Sequence, residues 1–370
     1  MKTLIKGARV WQKDRSWKSD CPIVIEDGKI LSVGIAEQWD EEIHAQGLTV
    51  LPGLVDVHTH GRSGYDFCDA TKEQMMQMKK DYLKKGVTSV FATLASGTEA
   101  QWNRAIENIE ACGFAGIHLE GNYLNAAKRG AHAPELLMRP NAESLERTLK
   151  SIHLPCHISA AFELDSDGSF AACAKKYGAT MGLGHTAATA AEAQLAIERG
   201  VTSFTHLYNC MPPLHHREGG AVCVGLTSNA WVELIADGLH ICPEMICLAY
   251  RAKGNEKFVL ITDSMSATGE ADGTYAIAGM KVIVKDGRAE TVEGALAGST
   301  LELWNGVKNL MRFADIPLED AVACATVNPA RMVGIDHLVG SVEVGKRADL
   351  LLVNDALDVC MVFAAGERAV

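Results

Sequence analysis

No apolar run in this 370-residue chain approaches the ~20 residues that a membrane helix requires, so no membrane span is expected. Cation clusters are missing too. Lys and Arg total 35 against 46 Asp and Glu, a formal charge of −11. Neutralising a nucleic-acid backbone needs grouped Lys and Arg, so no nucleic-acid partner is expected. The 11 cysteines contain no Cys-x-x-Cys pair, and an odd, scattered set is not a disulfide framework. Cys112, Cys173 and Cys324 sit in apolar stretches, where cysteine behaves as a small hydrophobe, and this suits a reducing compartment. Met1 to Trp11 hold no apolar segment of signal-peptide length. A soluble, cytoplasmic protein is therefore expected. The 34 glycines follow no Gly-X-Y period, which excludes collagen, and 48% hydrophobic residues exclude a disordered chain.

What is present falls into two patterns. Near the N-terminus, Thr3–Ile5, Ala8–Val10 and Pro22–Ile25 read as short strands. Asp27-Gly28 then predicts a tight hairpin turn, with Lys29–Val33 as the return strand. Near the C-terminus, Leu350–Val353 and Val359–Phe363 are strand-like. Chain ends often lie together, so residues 1–50 and 338–370 are expected to form one small β domain. Between them, over 51–337, eight β-rich runs alternate with helix-period segments such as Lys72–Lys85 and Ala187–Arg199. That alternation predicts an α/β fold, a (β/α)8 barrel. The competing doubly wound sheet lacks support, since no Gly-x-Gly-x-x-Gly follows the first run.

Six of the eight runs end in a residue of metal-ligand or acid/base type: His58/His60, Glu120, His185, His206, His240 just beyond its run, and Asp263. In such a barrel the strand C-termini share one rim, so residues distant in sequence converge. His58 and His60, two apart on a strand, point to one face and suit a shared ion. Imidazole with carboxylate favours Zn²⁺ or Fe²⁺ over Ca²⁺ or Mg²⁺. Singly, each has an ordinary explanation. A lone histidine at a strand end is more often a satisfied polar residue than a ligand, and Asp263 could cap a following helix. The weight lies in their joint order. His44, His118, His153, His157 and His337 are left as structural.

That order, with the longer strings around it, resembles the amidohydrolase superfamily and, within it, the N-acetylglucosamine-6-phosphate deacetylase family. The strings are Leu51–Gly61 (LPGLVDVHTHG), His118–Gly121 (HLEG), Lys128–His132 (KRGAH), Gly184–Thr189 (GHTAAT), Thr205–Met211 (THLYNCM), His215–Glu218 (HHRE), Ala236–His240 (ADGLH), Ile261–Asp263 (ITD) and Leu296–Thr300 (LAGST). They span nearly the whole chain, and the resemblance makes the terminal β pieces a small β-sandwich. It implies that Glu120, His185 and His206 hold one metal, and that His58 and His60 support a second. It implies Asp263 as catalytic acid/base and His132 as the contact to the substrate's acetyl carbonyl. Asn209, Arg217 and His240 match residues that hold a sugar phosphate, assisted by the backbone N–H of Cys210. Because some phosphate contacts cross a dimer interface in the family, a homodimer is implied.

The expected reaction is hydrolysis of the acetamide of N-acetylglucosamine 6-phosphate, with one or two divalent ions, Zn most readily or Fe. Two positions depart from the family pattern. Asn122 follows HLEG where Pro is usual, and Gly219-Gly220 follow HHRE where Pro is usual a step later. Both put the sugar epimer in question, and the HHRE form also occurs in enzymes proposed to act on N-acetylgalactosamine 6-phosphate. Another N-acyl amidohydrolase is the next alternative. It is disfavoured because no Lys lies in Cys156–Ala161 and Glu120 takes the bridging position. A non-catalytic scaffold is disfavoured because every ligand is retained.

Overall fold

The computed structural model describes residues 1–277 and 279–370. Its centre is one eight-stranded parallel sheet: β1 (Leu54–Thr59), β2 (Val87–Leu94), β3 (Gly116–Glu120), β4 (Cys156–Ala160), β5 (Thr180–Leu183), β6 (Ser203–Phe204), β7 (Trp231–Ile235) and β8 (Phe258–Ile261), each paired with its sequence neighbour. Parallel strands buried on both faces need apolar residues throughout, and β3, β4, β7 and β8 are buried at every position. The ring closes past β8. The Asp263 N–H donates to the His58 carbonyl at 2.9 Å, and Thr59 bridges Ser264 in parallel register. All eight sequence-predicted runs are strands of this barrel.

Helices α1 (Lys72–Lys84), α2 (Glu99–Ala111), α3 (Ala142–Leu149), α4 (Ser169–Lys176), α5 (Ala190–Glu198), α6 (Gly220–Thr227), α7 (Pro243–Lys253) and α8 (Leu303–Ala314) follow the strands in turn. Capping boxes fix three starts: Thr71 with Gln74, Thr98 with Gln101, and Thr189 with Glu192. In each, a threonine hydroxyl and a side chain three residues on satisfy N–H groups that a helix start leaves without partners. No helix follows Asp263 directly, so the capping alternative for that residue is overturned: the chain runs on to Gly273–Ile277, a strand.

The terminal segments build two further sheets. One orders Lys29–Val33, Ile23–Glu26, Lys2–Lys6 and Glu41–His44. The other orders Glu367–Arg368, Val359–Ala364, Leu350–Val353, Thr49–Pro52, Arg9–Trp11 and Trp17–Lys18. Ile5, Val10, Ile23, Val50, Leu350, Leu352 and Phe363 pack in a separate core there. Asp27 and Gly28 take φ of 48° and 78°, both positive, as a type I′ hairpin demands.

One element has no counterpart in the sequence reading. Between β8 and α8, Gly273–Ile277, Met280–Lys285 and Arg288–Thr291 form an antiparallel three-stranded sheet. Val282, Val284 and Ala289 pack it onto Met265, Ala267 and Ala297. Ile277 and the segment Ala295–Gly298 thereby reach the barrel mouth.

Candidate active site

Three strands, β5, β6 and β8, stop two residues before the ligand-type residue of the sequence run. The reason is backbone geometry. His185, His206 and Asp263 have φ of 44°, 33° and 50°. Non-glycine residues seldom occupy this region, and such positions gather at functional sites. Tyr208, Cys210 and Asn122 on the same rim share it, at 79°, 52° and 62°. The turn swings each side chain inward from its strand end.

The inward side chains meet in two groups joined by one carboxylate. Glu120 Oε1 lies 3.0 Å from His206 Nε2 and 3.4 Å from His185 Nε2. Glu120 Oε2 lies 3.0 Å from Nε2 of both His58 and His60. Asp263 Oδ1 joins the second group, 3.2 Å from His60 Nε2 and 3.4 Å from His58 Nε2. Glu120 is 2% exposed and His58 not at all, so water cannot satisfy these atoms.

The donor set fits a divalent ion. His185 Nδ1 donates to the Lys128 carbonyl at 2.8 Å, because a carbonyl can only accept. In the neutral ring Nε2 is then the bare nitrogen, 3.0 Å from His206 Nε2. Two imidazole nitrogens and a carboxylate oxygen turned on one point need a cation or proton between them, and imidazole with carboxylate is a zinc- or iron-type set. Without an ion, protons take that place. Burial opposes charge on His60, yet Asp263 and Glu120 push its ring up to about 10. Burial alone would raise Asp263, yet His58 and His60 draw its carboxyl down to about 2. Glu120 is held well below the carboxylate range in spite of burial, by His58, His185 and His206. Metal binding would release those protons.

A cavity of about 250 Å³ opens over this cluster, lined by His60, Glu120, His185, His206 and Asp263 with His132, Asn209, Cys210 and His240. Burial, with His185 beside it, pushes the His132 ring down to about 3, so it stays neutral. His240 Nδ1 lies 2.6 Å from Asp237 Oδ2, and Asp237 Oδ1 accepts from the N–H groups of Leu239 and His240. Burial disfavours the His240 cation, but the Asp237 carboxylate more than compensates and raises its pKa. Ten of the eleven sequence-predicted site residues thus surround one space, since His58 sits directly beneath His60 and Glu120. Arg217 does not join them. It is exposed on the loop before α6, and among the described residues no Lys or Arg lines the cavity. Sequence reasoning missed Asp237, Ser96 and Ile277. Asp237 had a signal, a carboxylate three residues before His240; the others had none.

Comparisons with known proteins agree with this geometry. The model of the amidohydrolase family matches residues 49–369. An N-acetylglucosamine-6-phosphate deacetylase of Vibrio furnissii is 33% identical over 356 residues, 92% of this chain and 88% of the relative. An N-acetylgalactosamine-6-phosphate deacetylase of Escherichia coli O157:H7 is 32% identical over 378 residues, 99% of each chain. Among solved structures, an Asp-to-Ala mutant of the N-acetyl-D-glucosamine-6-phosphate deacetylase of Mycobacterium smegmatis, in complex with N-acetyl-D-glucosamine-6-phosphate, superposes with a TM-score of 0.92. It is 30% identical, and the match covers 100% of this chain and 99% of that one.

Proposed function

This chain belongs to the amidohydrolase family, and from that premise we infer that it hydrolyses the acetamide of N-acetylglucosamine 6-phosphate to acetate and glucosamine 6-phosphate. The observation that carries the reading is the convergence of Asp263, His132, His240 and both ligand groups on one cavity.

Glu120, His185 and His206 would hold one ion, with His58 and His60 available for a second; zinc suits the set best. Such an ion supplies Lewis acidity and lowers the pKa of a water from 15.7 toward ~7. The chain does the rest. Asp263, ionised, takes a proton from the attacking water and returns it to the departing amine, as general base and then general acid. Neutral His132 donates to the acetyl oxygen as negative charge develops there; one such donor is worth ~3 kcal/mol. His240, whose cation the Asp237 carboxylate favours, pairs with the sugar phosphate, with Asn209 and the Cys210 N–H beside it. A homodimer would use the exposed Arg217, carrying it toward a second copy's phosphate. All 11 cysteines are free, which supports a cytoplasmic location. No helix among the described residues is long and apolar enough to cross a membrane.

Acetate release from N-acetylglucosamine 6-phosphate and N-acetylgalactosamine 6-phosphate, side by side with metal-loaded protein, tests the reading. Faster turnover of the gluco sugar is expected. Preference for the galacto sugar would favour the second reading, which the end-to-end match to the Escherichia coli relative supports. Activity on neither would overturn both.

The phosphate assignment has its own pH signature. A raised His240 pKa keeps the cation below that value and loses it as pH climbs through it. KM for the phosphorylated substrate should therefore rise on the alkaline side while kcat changes little. Asp237→Asn removes the partner and should move that rise to lower pH. A KM–pH profile unchanged by Asp237→Asn would remove His240 from phosphate binding.

A further inference from the structure

His132 must do one thing in the proposed reaction: present an N–H to the substrate. A neutral imidazole has one N–H and one bare nitrogen, and the partner of the inner nitrogen decides which is which. That partner is Ser96. Its hydroxyl lies 2.9 Å from His132 Nδ1, and its own backbone N–H points at the same nitrogen from 3.4 Å. The hydroxyl proton has a settled direction. The backbone N–H can only donate, so Nδ1 must accept, and the hydroxyl, whose oxygen accepts the Asn122 N–H at 3.2 Å, turns its own proton to the same nitrogen. Nδ1 thus faces two donors and can only accept. The proton of the ring belongs on Nε2.

Asn122 fixes Ser96 in turn. Its Oδ1 accepts from the Gly97 N–H at 3.1 Å, and its Nδ2 donates to the Gly97 carbonyl at 2.9 Å. This two-point clamp holds the residue next to Ser96 to the end of β3. It depends on a left-handed backbone, φ 62°, which asparagine tolerates and proline, locked near −65°, does not. Gly121 admits the close approach, since a Cβ there would lie 2.4 Å from the Ser96 nitrogen. His132, Ser96 and Asn122 are 6%, 4% and 7% exposed, so water does not compete for these bonds.

We propose that Ser96 and Asn122 are positioning residues that hold His132 as the Nε2–H tautomer and aim that N–H into the cavity. The inference rests on the deacetylase reading only for what His132 donates to; the tautomer itself can be read without turnover.

The test joins a spectrum to kinetics. In metal-loaded protein labelled with ¹⁵N-histidine, the His132 signals are found by their loss in His132→Asn. They should show a protonated Nε2 and a bare Nδ1. A protonated Nδ1 in the wild type overturns the proposal, whatever the substrate proves to be. Ser96→Ala leaves only the longer backbone N–H bond on Nδ1, so it should loosen the hold on the tautomer and lower kcat ~10–100-fold with KM within about threefold, a fraction of the ~10²–10³ that losing a whole oxyanion donor costs. Ser96→Thr keeps the hydroxyl and should restore both. Asn122→Gly keeps the left-handed backbone and drops the clamp, so a smaller kcat loss is expected. The decisive comparison is Ser96→Ala placed in His132→Asn. If Ser96 acts through His132, the second change costs less than twofold; a full additional loss overturns the proposal. A wild type that releases acetate from neither sugar defeats the deacetylase reading, and the tautomer result still judges Ser96.

Discussion

Glu120→Gln should cost this protein its metal and at least ~10⁴ of its turnover. Its two oxygens face different groups: Oε1 meets His185 and His206, Oε2 meets His58 and His60. Glutamine replaces one oxygen with an NH₂ that cannot ligate and removes the negative charge from both groups at once. With no ion, the water that attacks the amide keeps a pKa far above neutral, and an amide scarcely reacts with it. Elemental analysis after dialysis reads the first effect, and acetate release the second. A variant that keeps a full complement of metal and acts within tenfold of wild type would show that Glu120 is no ligand.

Asp263→Asn is expected to lower kcat ~10²–10⁴-fold, the usual worth of a positioned acid/base group. Here metal on the His185/His206 side should stay, since Asp263 touches only the other group. Asparagine preserves the shape and the backbone bond from Asp263 N to the His58 carbonyl, so the barrel should close as before. What it cannot do is take a proton. In the wild type, His58 and His60 draw the carboxyl down despite its burial, which favours the ionised form that a general base needs. A metal-loaded Asp263→Asn enzyme with near-wild-type kcat would remove this residue from the chemistry.

The barrel was legible because its strands are buried on both faces and so appear as separate apolar runs. The ligand order was legible because the architecture brings strand C-termini to one rim, turning the ends of six distant runs into one pattern. The strand ends were read too long, because apolar alternation does not reveal that His185, His206 and Asp263 turn into left-handed backbone. The sheet over 273–291 was missed although Met280–Lys285 alternates and Asp286-Gly287 repeats the hairpin signal of Asp27-Gly28. Ser96 could not be found at all, and Asn122 stood out only as a departure from the family's proline, with no role attached. Their importance lies in hydrogen bonds between β2, β3 and the loop to His132, and no spacing encodes those. Arg217 illustrates the opposite case: a motif that fits, on a loop that leaves the cavity.

The strand that leads into the barrel has a late partner. Thr49–Pro52, immediately before β1, pairs along its length with Leu350–Val353, about 300 residues further on. A ribosome delivers the first long before the second, at ~5–20 residues per second. For that interval the strand has only Arg9–Trp11 beside it, and its other edge offers open backbone groups to any neighbouring chain. Val50 and Leu51, wholly buried in the finished protein, would be uncovered for the same time. The vulnerable stage for this chain is thus its synthesis: the N-terminal sheet must wait for the last strands to emerge, and that wait is when aggregation competes with folding.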